Sequence, residues 1–495
     1  MLSSIKFRPK AEEVLKEGVE RQVKYVAVEK KESGATSSQH FQLEELVDDL
    51  GGMMLYTSGT TSRPVFASCS AIETVLTIDC SQKGVFLPQS VLTAQSQSLL
   101  RAWNYTAQDH ILHVLPLHHI HGTVNALLTP LFAGSTIEFL FPFNVNAVWE
   151  RLAAPFLPQD EIQRRRKPPI TFLTAVPTIY NRLIASHQAL KSPIFDASKR
   201  ALSPEILRLN MSGSAALPTP TKKAWSELSN GNVLLERYGM TEVGMALSCG
   251  LDFHDRVDGS VGWPLPSVEA RLVDSETNEV IKEGEEDADG KEREGEIQLR
   301  GPTVFKEYWR NPKATADEFV EGEDGKGRWF KTGDVATRRA VKGAGQSGQD
   351  WAKGPMYFIR GRRSVDIIKS GGEKISALEI ERELLSLYES PVCAWLGMLT
   401  SRRPQISEAA VVGVSSEQWG QKVAAVVVLH SEHAQSGRGG KTWGVMDMRR
   451  ALKDKLANYK IPQELKVVDA IPKNAMGKSQ CSTTSLTLIS HANSS

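Results

Sequence analysis

Short apolar runs of strand length alternate with helical stretches over most of this chain, and no other feature constrains its fold as tightly. Such runs are buried most completely in a sheet covered by helices, where each strand is hidden on two faces and each helix lays one apolar stripe against it. The alternation therefore predicts an α/β fold. At 495 residues the chain has room for roughly two to four domains, and it shows no internal repeat that would indicate a solenoid.

Charge and cysteine content exclude several classes. Fifty-nine Lys plus Arg against 58 Asp plus Glu leave a net charge of +1, which gives no general attraction to nucleic acid or anionic lipid, so no nucleic-acid partner is expected. No run reaches the ~20 apolar residues of a bilayer span, so no integral membrane segment is expected. The opening MLSSIKFRPKAEEVLKEG turns polar too early for a secretory signal. The chain reads as a soluble intracellular protein, cytoplasmic or mitochondrial and not secreted. Its five cysteines, odd in number and never spaced as CxxC, form neither a disulfide framework nor a zinc site.

Composition shifts between Gly322 and Gly354, which are rich in Gly, Lys, Asp and Gln, and a domain boundary is expected near Asp366. Beyond it, Ser376 followed by Glu379 is a capping-box signal for a helix through Leu384 and Leu385. EAAVVGV, VAAVVVLH, a helical MDMRRALKDKLANYK and LKVVDAI complete a small α+β domain. Three look-alike motifs fail. Gly343, Gly345 and Gly348 spell GxGxxG, but a charged stretch precedes them and no apolar helix follows, which makes a loop. Gly440-Lys441-Thr442 lacks the earlier glycine of a phosphate-binding loop, and Arg164 to Lys167 reads as a solvated basic run.

The stretch from Met53 to Pro64, MMLYTSGTTSRP, is an apolar strand followed by a loop dense in hydroxyls and small residues. Such a loop can offer backbone N–H groups and hydroxyls to phosphate oxygens, although alone it is more often a plain turn. Six motifs accompany it in order: PLHHIHG (116–122), SGSAALP (212–218), ERYGMTE (236–242), FKTGD (330–334), GRRSVDIIKSGGEKISALEIE (361–381) and IPKNAMGK (471–478). As an ordered set these resemble the acyl-adenylate-forming (AMP-binding) superfamily of acyl-CoA synthetases, peptide-synthetase adenylation domains and luciferase. LPLHHIHG, SGSAALP, ERYGMTE and SVDIIKSGGEKISALEIE are especially similar to malonyl-CoA synthetases.

The resemblance implies a two-domain α/β fold. A large, N-terminally truncated AMP-binding domain would cover residues 1–365, and a small mobile α+β domain, residues 366–495, would swing about Asp366. It implies ATP, Mg²⁺ and coenzyme A as cofactors: a carboxylate joins ATP to form an acyl-adenylate and pyrophosphate, and the CoA thiol then displaces AMP. Thr57, Ser58, Gly59, Thr60 and Thr61 would hold the β and γ phosphates, with Lys83 closing that loop. Glu242 would hold Mg²⁺ and Thr241 the AMP phosphate, beside Gly239 and Met240. Tyr238 would stack on adenine, and Asp334 and Arg362 would bind the ribose. Lys478 would stabilise the transition state of adenylation, and Gly371, Gly372, Glu373 and Lys374 would face CoA. A dicarboxylate needs a cation for its second carboxylate, and Arg182 matches that position, though it can equally be a surface helix residue. Ser214 matches a pocket wall, and His119 lies on the acyl and CoA route or is simply packed.

The chain also departs from the family. Val65 follows Pro64 where a lysine is usual, while Lys83-Gly84 appears later, so residues 65–82 read as an insertion; residues 388–403 read as another. The tail 479–495 is not the family's basic helix. Cys69, Cys80, Cys393 and Cys481 lie in these segments, leaving Cys249 outside them. Codons available at the borders permit translated introns, and real surface insertions are the rival reading. The expected activity is ATP-dependent ligation of a small carboxylic acid, malonate or methylmalonate, to CoA. Alternatives are a medium-chain or other acyl-CoA synthetase and an inactive nucleotide-binding remnant.

Overall fold

The computed structural model describes residues 2–4, 26–28, 51–57, 83–158, 167–287, 290–387, 406–430 and 443–472. Ser58, Gly59, Thr60, Thr61 and Lys478, and the segments 65–82, 388–403 and 479–495, lie outside the described residues. The chain divides into two compact units, residues 1–47 and 48–495. In the first, β1 (Leu2–Ser4) and β2 (Val26–Val28) pair in parallel.

The second unit opens with an antiparallel hairpin of β3 (Gly52–Tyr56) and β4 (Gly84–Pro88). Next come β5 (His110–His113), β6 (Thr136–Phe139), β7 (Phe172–Ala175), β8 (Leu209–Ser212), β9 (Leu235–Met240), β10 (Gly244–Ser248) and β11 (Trp263–Pro264). They form one sheet in the order β11-β10-β9-β8-β7-β5-β6, parallel from β9 to β6 and antiparallel at the β10 and β11 edge. β5, β7 and β8 are buried at every position, as strands covered on both faces must be. Alternation then sorts their side chains. Ile111, Phe172 and Met211 enter one core, whereas Leu112 and Leu173 enter a second.

Three helices bring large aromatic rings into that second core: Val145–Ala153 with Trp149, Pro177–His187 with Tyr180 and Thr219–Leu228 with Trp225. Tyr180 meets Trp225 edge to face at 4.7 Å, and its buried hydroxyl donates to the Met211 carbonyl at 2.9 Å. Truncating any one of these rings to alanine would cost about 3–5 kcal/mol. The first of these helices begins where it does because Asn144 Oδ1 accepts from Ala147 N at 3.0 Å.

A second sheet contains β12 (Glu269–Val273), β13 (Val280–Ile281), β14 (Gly295–Arg300), β16 (Phe319–Glu321), β17 (Arg328–Arg339) and β18 (Met356–Arg362), while β15 (Glu307–Tyr308) pairs instead with β4. β17 lies inside the stretch whose composition marks the approach to a boundary. Polar residues dominate its wording, but Trp329, Phe330, Val335 and Ala336 are buried and hold it between β14 and β18. The GxGxxG stretch is a loop, with Gly345 N and Ser347 Oγ donating to the Asp255 carboxylate.

The C-terminal lobe pairs β19 (Ile367–Ser370), β20 (Glu373–Ser376), β21 (Ile406–Ser416), β22 (Gly420–Leu429) and β23 (Glu464–Val467) around a core that includes Ile375, Ile380, Leu384, Val427 and Met448. Ser376 caps the helix Ala377–Leu385, its Oγ accepting from Glu379 N at 3.2 Å. The Glu379 carboxylate turns to Lys460 Nζ, 2.8 Å away, so half of the expected capping box is replaced by an ion pair. The second helix, Val445–Leu452, is shorter than its sequence pattern suggests, ending in turns ahead of Pro462. No described helix is long and apolar enough to cross a membrane.

Candidate active site

The β3–β4 hairpin brings the two ends of the hydroxyl-rich loop together. Thr57 N donates to the Lys83 carbonyl at 3.0 Å, and Lys83 N donates back to Thr57 Oγ1 at 3.2 Å. The Lys83 ammonium lies 3.1 Å from Glu318 Oε1 and 4.5 Å from the centre of the Tyr308 ring. The Tyr308 hydroxyl donates to Glu242 Oε1 at 2.9 Å. Glu242 is held in the tight β9–β10 turn, beside which a side chain at Gly239 would strike the Gly244 carbonyl at 2.0 Å. Burial pushes the Glu242 carboxyl up, while the Tyr308 hydrogen bond and the charges of Arg362 and Lys83 oppose that rise. Among the described residues no group of three or more His, Cys, Asp or Glu side chains could cage a metal. One buried carboxylate fits Mg²⁺, an ion that keeps most of its shell for phosphate oxygen and water.

Three motifs far apart in sequence converge on Asp334. It faces Arg362 across the β17–β18 ladder, and Arg362 Nε donates to Asp334 Oδ1 at 3.2 Å. The Tyr238 hydroxyl donates to Oδ2 at 2.6 Å, and Asp334 N donates to Thr332 Oγ1 at 3.1 Å. The carboxylate is thus fully oriented in a position 9% exposed. Gly361 has φ +132°, and a Cβ there would meet the Asp366 Cβ at 2.6 Å, so the end of β18 requires glycine. Gly371 and Gly372 form the β19–β20 hairpin tip with positive φ, and Lys374 Nζ pairs with Glu276 Oε1 at 2.6 Å.

On the other side of β9, residues from PLHHIHG and SGSAALP meet. Ser214 Oγ lies 3.2 Å from His121 Nδ1, and Thr174 Oγ1 lies 2.5 Å from His121 Nε2, with donor and acceptor roles set by the tautomer. Burial and the nearby Arg237 charge hold His121 well below the usual histidine range, so the ring is neutral. The Arg237 guanidinium packs on Gly213, where an added Cβ would fall 2.4 Å from its Cζ. Its Nε and Nη2 are buried without a hydrogen-bond partner among the described residues. The His119 ring lies against that of His118, tilted by 45° with centres 4.3 Å apart. Arg182 is exposed, its guanidinium 4.9 Å over the Phe143 ring. His121 and Arg237 lie within motifs picked out in the sequence, yet their wording did not single them out. The available signal was strand alternation, which puts Arg237 on the opposite face of β9 from Glu236.

Residues 80–309 match the AMP-binding enzyme family and residues 399–478 match the AMP-binding enzyme C-terminal domain. A CoA ligase of Gibberella moniliformis is 53% identical over 97% of this chain and 75% of its own length. A mitochondrial malonate–CoA ligase of Bos taurus is 41% identical over 88% of this chain and 64% of its own length. The crystal structure of ATP-bound MatB from Rhodopseudomonas palustris superposes with a TM-score of 0.69 at 29% identity, covering 98% of this chain and 78% of that one. The chain therefore spans three quarters of the first relative and under two thirds of the second.

Proposed function

This chain belongs to the AMP-binding enzyme family, and from that premise we propose that it is an ATP-dependent acid–thiol ligase that joins malonate or methylmalonate to coenzyme A. The observation that carries the choice of acid is Arg237, a cation 4% exposed that packs on Gly213, with two nitrogens unpartnered among the described residues. A fatty-acid pocket needs apolar walls only, whereas a dicarboxylate brings the anion that such a cation lacks. Arg182 is a second candidate for that contact, approaching from the exposed side over Phe143.

In this reading a carboxylate oxygen attacks the α-phosphorus of ATP and pyrophosphate leaves; the CoA sulfur then attacks the acyl carbon and AMP leaves. Thr57 and Lys83, with Ser58, Gly59, Thr60 and Thr61, hold the departing phosphates, and Thr241 holds the AMP phosphate. Glu242 holds Mg²⁺, which neutralises phosphate charge when bound. Asp334 exchanges its Tyr238 and Arg362 contacts for the ribose hydroxyls, with the Tyr238 ring and the backbone of Gly239 and Met240 against the base. Lys478 serves the first step and the hairpin from Gly371 to Lys374, through Gly372 and Glu373, the second, so the lobe beyond Asp366 has to turn between them. His119 and His121 border the acyl route. A mitochondrial or cytoplasmic place of action accords with the mitochondrial bovine relative.

Acid-dependent exchange of pyrophosphate into ATP tests the proposal across malonate, methylmalonate, acetate and octanoate. Malonate and methylmalonate should support exchange and CoA thioester formation. Preference for octanoate, or ATP binding with no exchange for any acid, would overturn it.

A further inference from the structure

The segment Phe305–Trp309 links two groups that the proposed function sets on the nucleotide phosphates. Phe305 N donates to the Glu242 carbonyl at 2.7 Å. The next residue, Lys306, donates its N–H to Phe86 O at 3.2 Å, and Trp309 N donates to Gly84 O at 2.7 Å, which ties the segment to the strand that begins just after Lys83. Tyr308 sits between these anchors and is 3% exposed. Its ring packs on Phe305 with centroids 4.8 Å apart, and its backbone N–H donates to Thr315 Oγ1 at 3.0 Å, so the side chain has little freedom. The hydroxyl reaches Glu242 Oε1 at 2.9 Å and the ring face lies 4.5 Å from the Lys83 ammonium. Phenylalanine would fill the same space. A buried tyrosine hydroxyl is tolerated because it has an acceptor, and here that acceptor is the carboxylate assigned to the metal.

We propose that Tyr308 is a positioning residue for metal–nucleotide binding, its hydroxyl fixing the Glu242 carboxylate and its ring face guiding Lys83, so that one side chain sets the spacing between the two. The inference rests on the assignment of Glu242 to the metal and Lys83 to the phosphates. Partners that orient a ligating carboxylate commonly change metal affinity by about 10- to 100-fold when removed. Glu318, 3.1 Å from Lys83 Nζ, balances the ammonium from another direction.

The probe is Mn²⁺ bound in the presence of ATP, measured on the 495-residue chain by electron paramagnetic resonance. Tyr308→Phe keeps the ring and removes the hydroxyl; it should weaken ATP-dependent Mn²⁺ binding by about 10- to 100-fold and leave ATP binding without metal unchanged. Tyr308→Leu should weaken both. Thr315→Ala loosens the same segment without touching Glu242 and should keep wild-type Mn²⁺ affinity. Wild-type affinity in Tyr308→Phe, or an equal loss in Thr315→Ala, would overturn the positioning role. Glu242→Gln separates the two levels. If it abolishes ATP-dependent Mn²⁺ binding while Tyr308→Phe changes nothing, only the role of Tyr308 falls; if it too binds normally, the metal assignment falls with it.

Discussion

Replacing Arg237 with leucine separates the substrate reading from the fold. The side chain is 4% exposed, two of its nitrogens have no partner among the described residues, and burial pulls the guanidinium down to about 9. A charge so placed is costly until an anion reaches it. The distal carboxylate of malonate would be that anion, and losing one member of a buried charged pair costs about 2–5 kcal/mol. Taking about 3 kcal/mol, kcat/KM for malonate should fall roughly 150-fold. Acetate has no second carboxylate, so its kcat/KM should stay within a few fold. The acid-free variant should melt no lower than the parent, because an unpaired buried charge has gone, while the upward shift that malonate gives the parent should vanish. The assay is pyrophosphate exchange with each acid, beside thermal unfolding with and without malonate. Equal losses for malonate and acetate, or malonate protection that survives, would refute the reasoning. Arg182→Leu is the comparator: a malonate-specific loss there and none at Arg237 would move the contact to the exposed arginine.

Two further outcomes follow from buried charge. Burial pushes Glu381 from 4.5 up to about 8, although Val411 N donates to its Oε1 at 2.8 Å. The folded state therefore holds a proton that the unfolded chain releases, and stability drains away as pH rises from about 4.5 to 8, with the penalty complete above that. Glu381→Gln should raise the unfolding free energy at pH 9 by on the order of 1–3 kcal/mol and be near neutral at pH 4; a pH-independent difference would contradict this. Lys222 Nζ and Glu236 Oε1 pair at 2.7 Å in the interior. Lys222→Met alone should cost about 3–5 kcal/mol in denaturant unfolding, and adding Glu236→Leu should recover most of it; a double variant no better than the single would show that the pair is not the cause.

The legible parts were those whose physics is local. The alternation of short apolar runs with helical stretches announces the fold class, although His110, His113, Asn210 and Ser212 interrupt the wording of β5 and β8, and Ser376 announces a helix because a cap acts over three residues. β17 is not legible in the same way, since its polar wording hides that neighbours from β14 and β18 bury most of its middle. Within the site, Tyr238, Asp334 and Glu242 could be named from motifs, but what they touch could not. Tyr308 carries no chemistry in its own wording and gains meaning only through a contact to Glu242, 66 positions away. Arg182 has the residue type wanted for a dicarboxylate, while Arg237 has the burial, and burial is a property of the packed chain alone.

The hairpin that carries Thr57 and Lys83 also bears on the segment between them. The β3–β4 ladder runs in register to Tyr56 opposite Gly84, and Thr57 and Lys83 then close it with two hydrogen bonds. The loop from 58 to 82 leaves and returns at points already in contact, so its length is not needed to bridge any gap. Two-residue loops can close such a hairpin, and residues 58–64 are more than enough. Deleting residues 65–82 leaves the ladder intact, lowers the closure entropy by about 1 kcal/mol and sets Pro64 directly before Lys83, as in related phosphate loops. The deleted chain should unfold slightly later than the parent, and its pyrophosphate exchange should rise while KM for malonate stays put, because the proposed acid contacts at Ser214 and Arg237 lie on other elements. A deletion that lowers the unfolding temperature, or removes exchange the parent possesses, would show that residues 65–82 belong to the working protein and that the loop is built around them.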